Sequence, residues 1–196
     1  NILIKNNTLT DGQKKEGIDI LPHHIDIGRH ATSESARCSN LRIINNSVTN
    51  AASKGGGIYV LDADNIIVRG NYCNKIGVTG IQIEGFRDRS RYAIVEDNIC
   101  ENCSIDSYWD EAGIWIDDTD YAVVQNNMCR YNSIGLWVSG SKNVISRNNC
   151  IYENNQIVLS HYPLSRGIVI NGDSEDNIFV HNTIYRNANG HPHAQI

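Results

Sequence analysis

Glu84 closes the stretch "GIQIE" and Asp117 closes "GIWID". The two stretches are copies of one motif. Their carboxylates therefore hold equivalent places on what should be neighbouring strands, with Cα atoms about 4.8 Å apart. Two carboxyls at roughly that spacing are what a retaining glycosidase uses as its catalytic pair. Asp117 together with Asp118 and Asp120 also makes an oxygen-rich cluster of the kind that holds Ca²⁺. The third reading is a solvated turn edge, the commonest fate of surface acids.

Other residues could join either chemistry. Arg87, Arg89 and Arg91 follow Glu84 directly and offer cations for a substrate carboxylate, or a base. Tyr108, Asp110 and Glu111 precede the Asp117 motif and stand on the other side of it. His23, His24, Asp26 and His30 form an irregular loop cluster, readable as metal ligands or as plain loop histidines.

These side chains need a scaffold, and the sequence supplies one by repetition. Seven segments align, from "NILIKNNTL" at Asn1 to "DNIFVHNTI" at Asp176. The seventh position of each is Asn: Asn7, Asn46, Asn71, Asn98, Asn127, Asn149 and Asn182. Two residues later comes Leu9, Val48, Cys73, Cys100, Cys129, Ile151 or Ile184. A second element, "G-I-x-I", follows most copies, at 17, 57, 80, 113 and 135. "GIVIN" at 167 and "QIVLS" at 156 compete for the last place. The runs are short, β-branched and alternating, with no helical period. Three short strands per turn, with variable loops between, predict a parallel β-helix of about seven turns. The repeated Asn marks a sharp turn, and its stacked amides form a ladder.

In "G-I-x-I-x" the aliphatic residues point inward and the x positions outward. The first outward column then reads Asp19, Tyr59, Gln82, Trp115, Trp137, and the second Leu21, Leu61, Glu84, Asp117, Ser139. Tyr59, Gln82, Trp115 and Trp137 are the expected substrate-binding surface. Aromatic faces beside polar groups suit stacking against a pyranose ring. The competing reading covers the two Trp residues with loops and makes them satellite core. Long insertions at 22–39, 86–91, 103–112 and near 160–166 wall this sheet.

Composition bounds the rest. The 196 residues fit one domain spanning 1–196, and 40% are hydrophobic, enough for a core. A net charge of −5 without a basic stripe argues against nucleic acid, and no stretch is apolar enough to span a membrane. The opening "NILIKNN" starts within the pattern, which reads as a processed chain or a piece of a longer solenoid. Three of the six cysteines fall in the inward column, so "CENC" (Cys100 to Cys103) reads as core rather than as a zinc or redox motif.

The combination "N-I-x-V-x-x-N-x-C" and "G-I-x-I" resembles the right-handed parallel β-helix repeat of the pectate-lyase-like superfamily, over nearly the whole chain. The resemblance implies an all-β, single-stranded right-handed solenoid with its cleft on the sheet carrying Glu84 and Asp117. It is compatible with lyases, epimerases, glycosidases and non-enzymatic adhesins or fibres. "DILPHHID" is also similar to the Asp-Pro-His-acid motif of mannuronan epimerases, matching at Pro22 and His23 but with Leu21 and His24 on either side. The resulting expectation is an extracellular or cell-surface protein that binds a polysaccharide. Glu84, Asp117, Arg87 and His23 are the catalytic candidates, and Asp117, Asp118 and Asp120 are the Ca²⁺ ligands. The alternative is a structural solenoid that associates end to end.

Overall fold

The computed structural model describes residues 1–10, 25–27, 38–51, 55–86, 88–104, 111–155 and 165–187, with Asp26 described by its backbone alone. The chain coils as a parallel β-helix. Sheet 1 runs through Ile2–Lys5, Cys38–Ile44, Ala63–Arg69, Ser90–Glu96, Val123–Gln125, Ile145–Arg147 and Ile178–Val180. Sheet 2 runs through Thr8–Thr10, Ser47–Ala51, Tyr72–Ile76, Ile99–Cys103, Met128–Arg130, Cys150–Tyr152 and Thr183–Tyr185. Sheet 3 runs through Ile25–Ile27, Ile58–Leu61, Ile81–Glu84, Ala112–Asp117, Ile134–Ser139 and Arg166–Asn171. Each strand pairs in parallel with its counterpart one turn away, so the periodic residues become vertical columns.

The Asn ladder is continuous. Each side-chain amide from Asn7 through Asn149 donates to Oδ1 of the next Asn, ending at Asn182, at 2.9–3.0 Å. The left-handed residue of each turn is the one just before: Asn6, Asn45, Gly70, Asp97, Asn126, Asn148 and His181. Asn and Gly recur there because they adopt positive φ at low cost. A second ladder lies five residues on, Asn132 to Asn154 to Asn187, at 2.9 Å per step. Its first member accepts the Cys103 backbone N–H at 2.8 Å.

Inside, Val48, Cys73, Cys100, Cys129 and Ile151 stack in one register and are buried. All six cysteines are free, and "CENC" is core as its column position implied. Burial pushes the Cys100, Cys103 and Cys129 thiols well up, which makes them inert. Glycine opens the "G-I-x-I" motif because turns touch there: a Cβ on Gly80 would lie 2.7 Å from the Gly113 carbonyl oxygen, and one on Gly135 2.7 Å from that of Gly167.

The register corrects the first turn of sheet 3. Ile25 pairs with Ile58, Asp26 with Tyr59 and Ile27 with Val60. The strand in that place is thus 25–27, not "GIDIL", and Asp26 rather than Asp19 heads the column. Residues 17–21 lie outside the described residues. At the other end Trp137 pairs with Val169 in "GIVIN", while 156–160 lies outside the described residues.

Candidate functional site

On the outer face of sheet 3, Tyr59, Gln82, Trp115, Trp137 and Val169 form one column. Leu61, Glu84, Asp117, Ser139 and Asn171 form the next. Glu84 and Asp117 are therefore register partners, as their motif positions required. The Tyr59 hydroxyl donates to Glu84 Oε2 at 2.6 Å, and Gln82 Nε2 donates to the same oxygen at 2.8 Å. One carboxylate oxygen is thus fixed by two donors from its own and the preceding turn.

Both carboxyls are harder to ionise than usual. Burial pushes Asp117 up to about 6; a Ser139 hydrogen bond opposes this, and the charges of Glu84 and Asp118 reinforce it. Burial also raises Glu84, with the negative charges of Asp62 and Asp118 adding to it, while the Tyr59 and Gln82 hydrogen bonds pull it back. A buried like-charge pair retains a proton because two close anions in a poorly solvated place repel each other.

The two Trp rings stack on each other, with centroids 4.4 Å apart and planes 5° from parallel. The turn-to-turn spacing of a β-helix is close to a ring-stacking distance, so residues in one column meet face to face. This sharpens the expectation of a flat aromatic floor: the facing surfaces of Trp115 and Trp137 are taken by each other. Both rings are half-buried and pack on a small apolar cluster of Ala112, Ile134 and Val169. Trp137 Nε1 donates to Asn171 Oδ1 at 2.9 Å. Trp115 Nε1 is buried with no hydrogen-bond partner among the described residues.

The acids that follow Asp117 pair with a cation. Arg89 reaches Asp118 Oδ1 at 3.2 Å and Asp120 Oδ1 at 2.8 Å, and its remaining nitrogen donates to the Gly140 carbonyl. Arg89 thus supplies the counter-charge to Asp118 and Asp120, two of the three acids expected to hold Ca²⁺. Among the described residues no group of three or more His, Cys, Asp or Glu is arranged to hold a metal. Asp62 is buried and accepts the Phe86 N–H at 2.8 Å, anchoring the turn beside Glu84. Arg91 pairs locally with Asp88 at 3.3 Å. Arg87, His23, His24, His30, Tyr108 and Asp110 lie outside the described residues. Glu111 accepts the Thr79 hydroxyl.

With three stacked parallel sheets and an unbroken ladder established, comparison with known families is decisive. The profile described as "Right handed beta helix region" matches residues 34–192. The chain belongs to the right-handed β-helix family. No curated protein and no solved structure matches it.

For this β-helix protein the repeat reading found Glu84, Asp117, Tyr59, Gln82 and both Trp residues on one face. It missed Ser139 as a partner of Asp117 and Asn171 as a partner of Trp137, although both stand in the column that holds the acids. It also missed Phe86, which projects 63% exposed two residues beyond Glu84.

Proposed function

We propose that this β-helix protein acts on a polysaccharide along sheet 3, with Glu84 and Asp117 sharing the acid–base work at a glycosidic bond. One observation carries the reading: two carboxyls stand in strand register on one outward face, each held by hydrogen-bond partners of its own. Glu84 is held by two donors, which favour and orient its anion. Asp117 keeps its proton up to about 6. Two neighbouring carboxyls of which one keeps its proton while the other ionises supply the acid and the nucleophile that glycoside hydrolysis needs. Asp117 would protonate the leaving oxygen. Glu84 would attack the anomeric carbon or activate water, and the strand spacing favours direct attack. The half-buried Trp115–Trp137 stack gives an apolar edge beside the acids, against which sugar C–H groups can pack. A polysaccharide substrate places the protein outside the cell or at its surface.

The test is incubation with neutral and uronic-acid polysaccharides while both reducing ends and unsaturated products are followed. New reducing ends without unsaturated product are expected, and Glu84→Gln or Asp117→Asn should each lower the rate at least about 100-fold. Product with a 4,5-double bond would point instead to a lyase. Unchanged rates in both variants would sink the assignment.

A non-enzymatic solenoid that stacks end to end is the second reading. The outermost turns favour it, because Ile2 and Ile170, which continue the buried columns of Leu41 and Val138, are 41% and 44% exposed. Sedimentation that grows with concentration, with no catalysis, is its signature.

A further inference from the structure

Sheet 1 carries a feature that the acids of sheet 3 do not use. A left-handed residue stands within or just before six of its strands: Asn40, Asn65, Tyr92, Tyr121, Asn143 and Asp176. Asn and Asp adopt this conformation readily, but a bulky side chain rarely does. Tyr92 (φ 57°) and Tyr121 (φ 58°) hold it on consecutive turns, and both are more than half exposed. Their rings stack with centroids 5.4 Å apart. Paired aromatic rings left exposed in one place concentrate at binding sites.

The stack is unfinished. Tyr121, from the following turn, covers one face of Tyr92, and the other face looks toward the preceding turn. There the equivalent residue is Asn65, whose side chain is too short to fill the space. A groove of about 420 Å³ takes in this space and is lined by Arg42, Asn65, Ile67, Ile94 and both tyrosines. Arg42 is exposed and has no ion-pair partner among the described residues. It also borders a second hollow of about 310 Å³ that continues toward Leu3.

We propose that this groove is a second carbohydrate site, separate from sheet 3, that takes an acidic sugar. The pyranose ring continues the stack on the free face of Tyr92, its carboxylate meets the Arg42 guanidinium, and the Asn40 and Asn65 amides bond its hydroxyls. A lone cation lining an aromatic slot, in a chain of net charge −5, selects an anionic ligand over a neutral one. The two hollows on either side of Arg42 suit consecutive residues of one chain rather than a single sugar.

The test is calorimetric titration with a galacturonic acid tetrasaccharide and with its neutral galactose counterpart. Tyr92→Asn installs the residue that other turns use at this position, so it should fold with an unchanged or higher Tm. Wild type should show two classes of site for the acidic oligomer. Tyr92→Asn and Arg42→Gln should each weaken one class at least tenfold and leave the other intact, while Trp137→Ala does the reverse. Arg42→Gln should also abolish the preference for acidic over neutral oligomer at the affected class. If Trp137→Ala changes nothing, the reading of sheet 3 fails and this one stands. The proposal is overturned if Tyr92→Asn and Arg42→Gln bind as wild type does, or if wild type does not bind the acidic oligomer. It is equally overturned if wild type sediments as a dimer that Tyr92→Asn disperses, since the groove would then be a self-interface.

Discussion

Glu84 and Asp117 stand in register on adjacent strands; burial makes both protons harder to lose, and the charge of Glu84 adds to the effect at Asp117. The pair is conditional on the β-helix, because the residues lie on separate turns and meet only through strand pairing.

That relationship sets a pH dependence. The folded Asp117 value of about 6 lies above its ordinary 3.8, so the folded state binds this proton more tightly than the unfolded chain. The stabilisation is fully present below about pH 4 and is lost as pH rises through 6. Glu84 shifts in the same direction. Glu96, beside Gln125 and Arg69, shifts downward, so its contribution is lost only in more acidic solution. Allowing for solvent screening, about 1 kcal/mol is expected from Asp117, or a Tm fall of about 2–4 °C between pH 4.5 and 7. Calorimetric scans of Asp117→Asn should lose most of that slope. An identical slope in the variant would place its origin elsewhere.

The Asn ladder should be strongest in its middle. The Asn98 amide donates to Val68 O at 2.9 Å and to Asn127 Oδ1 at 3.0 Å. Its Oδ1 accepts the backbone and side-chain N–H groups of Asn71. Asn98→Ala strands these groups in a buried place and should cost about 3–5 kcal/mol. Asn7→Ala, at the exposed end, should cost less than about 1 kcal/mol. Urea denaturation midpoints of the two variants decide this, and equal losses would contradict a burial-based ladder.

The two tryptophans should respond oppositely to loss of the indole N–H. Trp137→Phe forfeits the bond to Asn171 and should destabilise by about 1 kcal/mol. Trp115→Phe removes a buried donor that has no partner among the described residues, so it should be neutral or stabilising despite the smaller ring. Thermal melts of both variants at one pH provide the comparison. A larger loss in Trp115→Phe would mean that its N–H is satisfied.

Arg89 should control the acids of the turn. Arg89→Ala removes the cation from Asp118 and Asp120 and should cost about 1–2 kcal/mol. It also removes the one cation among the described residues that pairs with both carboxylates. Millimolar Ca²⁺ should then raise the Tm of the variant and leave that of the wild type nearly unchanged. Equal Ca²⁺ shifts in both proteins would show that Arg89 and the ion do not compete for these acids.

The coil is legible in the repeat. Asn at the seventh place of each repeat and an aliphatic or Cys residue two places later recur because backbone turns and buried columns impose the same demand on every turn. The ladder, the Cys column and the pairing of Glu84 with Asp117 follow from counting. Even the second ladder was readable, since Asn132, Asn154 and Asn187 each follow a ladder Asn by five residues; only three turns carry it, so the recurrence is faint. The tertiary structure decided whatever depends on register across long insertions and on side-chain direction. "GIDIL" and "HIDIG" fit the first turn of sheet 3 equally well as patterns, and backbone pairing with Ile58–Val60 chose the second. The stacking of Trp115 on Trp137, the capture of Asp118 and Asp120 by Arg89, and the open face of Tyr92 arise between turns. Periodicity encodes which residues share a face, but the contacts made on that face depend on the three-dimensional spacing of the turns.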